Sequence, residues 1–333
     1  IVRADKLVFK EVWVGEHVTE KWENAPCPDL LLAKASAMTE NILLGTGVSL
    51  LTLHNPVELG HRIAMLDHLT RGRLQWGIGH RAIAEDLKLF GLDHLQGDEV
   101  RERAAEALDL ILEMWESEGE FSFKGKYFDI NAPALDPIRE RGYHMRPLQQ
   151  PHPPIFAAAS SSRSASIRTA AQRGYKPMSS SGLAPRYLAE HWDVIEDAAA
   201  EAGTEVNRSD WRVARDVFIA ETDELARERA KAVLGRNYIQ HQLPNRANSG
   251  QIQNAKINDN VADDDLDVDY MIDNIWIVGG PKECAEKIRN LYNEVGGFGH
   301  LLAITQDPDD PSWEHETLDL LKEEVAPLVA DLV

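Results

Sequence analysis

The feature that most constrains this chain is an alternation that runs almost from end to end. Short apolar runs, each the length of a buried strand, are separated by stretches with helical periodicity. Such alternation predicts β-α units on a parallel sheet, because a crossover helix is the ordinary link between parallel strands. At 333 residues the chain suits a single (β/α)8 barrel domain, which needs about 250 residues and tolerates insertions. The expected strands are residues 11–16, 42–51, 73–78, 155–159, 175–179, 211–220, 275–281 and 300–304. The expected helices are residues 28–39, 56–69, 98–116, 164–172, 185–202, 224–234 and 281–295. Residues 121–128 alternate like a small hairpin outside the barrel, and residues 131–153 read as a loop. Residues 1–7 read as the end of an amphipathic helix, so the expectation is a barrel whose first strand is missing from this chain.

Residues 240–268 break the rhythm with Asn, Gln and Gly and then an acidic cluster from Asp259 to Asp267. A long loop in a compact domain is usually a lid or an unordered insertion, and a mobile lid is the expectation here. The formal charge of −20 repels phosphate backbones and anionic lipid, which disfavours nucleic acid and membrane surfaces as partners. Two cysteines, Cys27 and Cys284, make no disulfide framework. With no signal-peptide pattern, the expected location is cytoplasmic. The histidines show no metal-ligand spacing, and no HExxH, Walker or GxSxG motif occurs.

Four places could carry chemistry. Glu16-His17 ends an apolar strand, and the C-terminal strand ends of a parallel barrel carry its active site. His17 there is either a proton-transfer group or a histidine satisfied by nearby backbone. Thr46-Gly47-Val48 puts a glycine inside a strand, which marks either close packing or the approach of a ligand. Gly77-Ile78-Gly79-His80 ends a third strand, so His80 either reaches a phosphate or merely borders a tight corner. Ser160-Ser161-Ser162-Arg163-Ser164 opens a helix. Its free N–H groups and hydroxyls make either a phosphate cradle or plain capping.

These segments, in this order, resemble the bacterial-luciferase-like flavin monooxygenases. The likeness lies in Glu11 to His17, Leu44 to Val48, His54-Asn55-Pro56 and Leu66 to Leu74. It continues through Gly77 to His80 with Asp86 and Phe90-Gly91, then Pro154 to Ser161 and Ala170 to Pro177. Trp276 to Gly279 and Gly296 to His300 close it. The resemblance implies a barrel that uses reduced FMN from a separate NAD(P)H-dependent flavin reductase. Molecular oxygen and a small apolar substrate (terpene, aldehyde or ketone) would be the other reactants, and a homodimer the assembly. It implies His17 as the catalytic proton handler, and Thr46, Gly47 and Val48 beside the flavin ring, with a non-prolyl cis peptide at Gly47-Val48. It also implies His80, Ser160, Ser161, Ser162 and Ser164 as phosphate contacts.

Val18 stands where luciferase proper has a second histidine, and Gly79 where it has a reactive cysteine, which argues against light emission. Trp22-Glu23 and Gln149 to Pro154 resemble limonene- and alkanal-type members. Competing readings are a deazaflavin-dependent oxidoreductase on the same fold and a non-catalytic flavin-binding paralogue.

Overall fold

The computed structural model describes residues 1–23, 25–80, 82–306 and 308–332. The chain forms two compact units, Ile1–Phe156 and Ala157–Val333. Its strands are β1 (Glu11–Val14), β2 (Leu43–Leu50), β3 (Leu74–Gly79), β4 (Ser122–Lys124), β5 (Asp129–Asn131), β6 (Ile155–Ala159), β7 (Lys176–Ser179), β8 (Arg212–Ile219), β9 (Ile277–Gly279) and β10 (His300–Ile304).

In the first unit β1, β2 and β3 lie side by side and parallel, with Val14 opposite Thr46 and Thr46 opposite Trp76. Helices Pro28–Ser36 and Pro56–Thr70 cross over between them, each with proline in its first turn, where a missing N–H costs nothing. Asn55 caps the second by accepting from the Val57 and Glu58 amides. The Leu66-to-Leu74 motif has a structural explanation. Asp67 is fully buried and accepts from the Gln149 amide and side chain, both at 2.7 Å. Arg73 spreads its guanidinium over the Ser36, Thr39 and Ile42 carbonyls. The motif therefore pins the 131–153 connection and the end of the preceding helix to the foot of β3. The hairpin expected over 121–128 is β4 and β5, shifted toward Asn131.

In the second unit β7, β8 and β10 are parallel neighbours and β9 lies beside β8. Helices Ala165–Gln172, Pro185–Ala202, Asp223–Ala230 and Pro281–Glu294 follow β6, β7, β8 and β9. Trp192, Ile195, Trp211 and Val213 anchor one core and Phe218, Tyr238, Met271 and Trp276 another. β8 departs from the apolar norm: all eight of its residues are buried, yet they include Arg212, Arg215 and Asp216.

Three expectations need correction. β1 ends at Val14 rather than at residue 16, so Glu16 and His17 stand just past the strand. The helix expected to stop at residue 234 continues through widened turns at Lys231–Gly235 and Tyr238–Gln242 into Leu243–Asn248. The second widened turn precedes Pro244, which has no N–H to give to a regular turn. Residues 240–268 thus carry a helix and short turns at Ile252–Ala255 and Asp263–Asp265. They are tied down by Asn254, whose carbonyl accepts from the Ala184 amide at 2.7 Å. Helices Ala84–Leu89, Val268–Asn274 and Pro311–Leu320 were not expected. Among the described residues no helix is long and apolar enough to cross a membrane.

Candidate active site

In the first unit the C-terminal ends of β1, β2 and β3 converge. Glu16 is buried and joins two of these segments: Oε2 accepts from the Leu50 amide at 2.7 Å and Oε1 from His54 Nε2 at 2.6 Å. A carboxylate can only accept, so the His54 nitrogen carries the proton. His54 and Glu16 therefore fix the segment that presents His17.

Three carboxylates surround His17. Its Nδ1 lies 3.4 Å from Glu20 and 3.7 Å from Asp86, and its Nε2 lies 3.6 Å from Glu23. Asp86 is fully buried. One of its oxygens accepts from the Thr19 amide and hydroxyl at 2.9 and 2.7 Å, while Oδ2, the oxygen nearer His17, has no hydrogen-bond partner among the described residues. Burial pushes the Glu20 and Glu23 carboxyls above the ordinary range, and His17 opposes it in both. The ligand atoms of His17, Glu20 and Glu23 come within 4.8 Å of one another, a grouping the sequence reading did not single out. The collar sets carboxylate oxygens beside both ring nitrogens of His17.

The Gly47–Val48 peptide bond is cis, as the resemblance implied. Thr46 donates its hydroxyl to the Gly77 carbonyl at 2.8 Å, and a Cβ on Gly77 would collide with the Thr46 carbonyl oxygen. Thr46 is thus buried between β2 and β3, with its hydroxyl already engaged. Val48 lies against Gly79. His80 is half-buried just past β3, and its carbonyl accepts from the Thr52 hydroxyl at 2.7 Å. Trp13 Nε1 is buried without a hydrogen-bond partner among the described residues, and its ring meets Phe156 edge-on at 4.8 Å.

In the second unit Ser160 to Ser164 form the turn between β6 and the eight-residue helix Ala165–Gln172. Ser160 is exposed, and Ser161 and Ser162 are half-buried. Ser164 sits at the N-cap, but its hydroxyl pairs with Ser166 Oγ at 2.8 Å and caps no backbone amide. The first-turn N–H groups are thereby left open to an acceptor.

The sequence reading missed what holds this turn. His191 is fully buried; its Nε2 donates to the Ser161 carbonyl at 2.6 Å and its Nδ1 meets Ser179 Oγ at 2.9 Å. Trp211 Nε1 donates to the same Ser179 oxygen at 2.9 Å. A carbonyl only accepts, so the neutral ring has its proton on Nε2 and takes the Ser179 hydroxyl proton at Nδ1. Burial lowers the His191 pKa, in keeping with that neutral form. Asn254 Nδ2 adds a contact to the Ser160 carbonyl at 3.4 Å.

The family model described as luciferase-like monooxygenase matches residues 1–297. The chain is 30% identical over 336 residues to 2,5-diketocamphane 1,2-monooxygenase 1 of Pseudomonas putida, covering 98% of this chain and 91% of that one. It is also 30% identical to limonene 1,2-monooxygenase of Rhodococcus erythropolis, covering 98% of this chain and 79% of that one. A solved structure superposes with a TM-score of 0.89 at 30% identity, covering 98% of this chain and 91% of that one. It is the oxygenating constituent of 3,6-diketocamphane monooxygenase of Pseudomonas putida, a type II Baeyer-Villiger monooxygenase in complex with FMN. The fold class is therefore the luciferase-like α/β barrel, and the chain belongs to the luciferase-like monooxygenase family.

Proposed function

We propose that this chain is the oxygenating component of a two-component flavin-dependent monooxygenase. It takes reduced FMN from a separate NAD(P)H-dependent flavin reductase and inserts one atom of O2 into a small apolar organic molecule. The relatives direct that choice toward cyclic terpenoids. The observation that carries the reading is the match, over 98% of this chain, to an FMN-bound oxygenating constituent.

The residues present fit such a cofactor. Ser160, Ser161, Ser162 and the uncapped amides after Ser164 would hold its phosphate, with His80 as a further contact. Thr46, Gly47 and Val48 would line the ring, and Trp13 and His17 bring buried nitrogens without hydrogen-bond partners among the described residues. Reduced flavin, when bound, supplies the reaction with dioxygen and the oxygen atom for transfer. The protein's share is positioning and proton control. Glu16 and His54 hold the His17 segment, and Asp86 and Glu20 face Nδ1 while Glu23 faces Nε2. His17 then holds or passes one proton at a fixed place. His191 holds the Ser161 carbonyl and so shapes the phosphate turn. Residues 240–268 form the cover that keeps water out.

The chain acts as a homodimer in this reading. Leu30, Leu31, Met38, Met65 and Leu69 are exposed on or just after helices Pro28–Ser36 and Pro56–Thr70, which pack together, and such a patch suits a second copy. The test is turnover with FMN, a flavin reductase, NADH, O2 and a panel of terpenoid ketones and olefins. Products one oxygen heavier are expected. Reduction of a substrate by reduced deazaflavin without oxygen uptake would instead establish hydride transfer.

A further inference from the structure

The polar group around Asp216 is not used by the proton chemistry of His17 or by the phosphate turn. Asp216 lies near the C-terminal end of β8, opposite Ile304 of β10, and is 1% exposed. Its Oδ1 accepts from Gln306 Nε2 at 3.5 Å, two residues beyond Ile304. The Ser181 side chain also hydrogen-bonds the carboxyl, and Oδ2 is buried with no hydrogen-bond partner among the described residues.

Arg246 enters from helix Leu243–Asn248. Its Nη1 donates to the Gly182 carbonyl at 3.0 Å, while its buried Nε has no partner among the described residues. A Cβ on Gly182 would strike the guanidinium, so glycine is what gives Arg246 its seat. Each of Asp216 and Arg246 feels the other's charge, yet no hydrogen bond or ion pair between them is among the described contacts. Arg215, also 1% exposed, secures the same turn through the Ser181 carbonyl at 3.1 Å.

A buried donor and a buried acceptor without partners are costly. Two that influence each other without pairing suit a polar atom placed between them. We infer that Asp216 and Arg246 form a subsite for an oxygen function carried by the substrate, a carbonyl or a hydroxyl. The inference rests on the monooxygenase reading and deepens it: the substrate is an oxygenated terpenoid rather than a bare hydrocarbon. A hydroxyl accepts from Arg246 Nε and donates to Asp216 Oδ2. A carbonyl accepts from Arg246, and from Asp216 when the carboxyl holds a proton, a form that burial favours.

The test measures binding, separately from turnover. The full chain with FMN is titrated with 2,5-diketocamphane, with borneol and with limonene, following tryptophan fluorescence. The diketone or the alcohol is expected to bind at least about tenfold more tightly than limonene, the scale of a hydrogen bond to a charged group. Arg246→Met is expected to remove that preference and leave limonene unchanged. Gly182→Ala, which displaces the guanidinium without deleting it, reads the same contrast should Arg246→Met fail to fold. Asp216→Asn is expected to weaken the alcohol more than the diketone, because an amide still donates to a carbonyl. Limonene binding as tightly as both oxygenated probes would overturn the subsite. So would variants that weaken all three ligands alike, or none. Selective binding of an oxygenated probe without any oxygenated product would retain the subsite and refute the monooxygenase reading.

Discussion

His17 and His191 show two uses of one side chain. His17 is partly solvated and ringed by acceptors. His191 is sealed, with each ring nitrogen committed. His17→Gln is expected to retain FMN while product formation falls by about 10²- to 10⁴-fold, the usual range for losing a proton-transfer group. Full coupled turnover in that variant would remove His17 from the chemistry. His191 should leave its mark on stability. Its folded pKa is lowered, so its contribution is complete above the ordinary histidine value of 6.5 and is lost as pH falls toward the folded value. Denaturant melts of the native chain should lose up to about 1.4 kcal/mol per pH unit in that window, and His191→Gln should flatten this slope. His17 was legible because it closely follows an apolar strand. His191 was not, because in Pro185–Ala202 it takes a place on the buried face with Leu188, Trp192 and Ile195, and periodicity cannot tell a positioning histidine from filler.

The strands were legible as elements because parallel strands covered on both faces become continuous apolar runs. Their ends were harder to read. Glu16 looks like the last strand residue but is a buried hydrogen-bonding bridge to Leu50 and His54. The charges in β8 are hidden within an apolar run, although Arg215 and Asp216 are each only 1% exposed. Six- and seven-residue helices such as Ala84–Leu89 and Val268–Asn274 span at most two turns, too few for a 3.6-residue period to emerge. Between β2 and β3 the close approach at Gly77 leads to a direct expectation. Gly77→Ala should cost about 1–3 kcal/mol, as overpacking does, read by denaturant melts. Native stability would show that the two strands have room to part. Asp67→Ala should also destabilise, by about 2–3 kcal/mol, since it leaves the Gln149 donors unpaired; unchanged melting would deny the motif its structural role.

At the scale of the whole molecule, alternation and ordered motifs settled the fold class, and the comparisons agree with it from end to end. Charge settled little beyond disfavoured partners. The exposed apolar side chains on Pro28–Ser36 and Pro56–Thr70 could not be recognised from helical periodicity, which marks a buried face but not what lies on the opposite one. Light scattering should give twice the chain mass for the native protein and the chain mass for a Leu31→Glu, Met65→Glu double variant. A native monomer would contradict the dimer.

The central claim, that this chain transfers one atom of dioxygen into an organic substrate, is tested most directly by isotope labelling. The chain is supplied with reductase-generated FMNH2 and 2,5-diketocamphane under oxygen-18 gas, and the product is weighed by mass spectrometry. The account predicts a product carrying a single oxygen-18 atom, with its yield collapsing in His17→Gln. Oxygen consumption with no label in any organic product would contradict it.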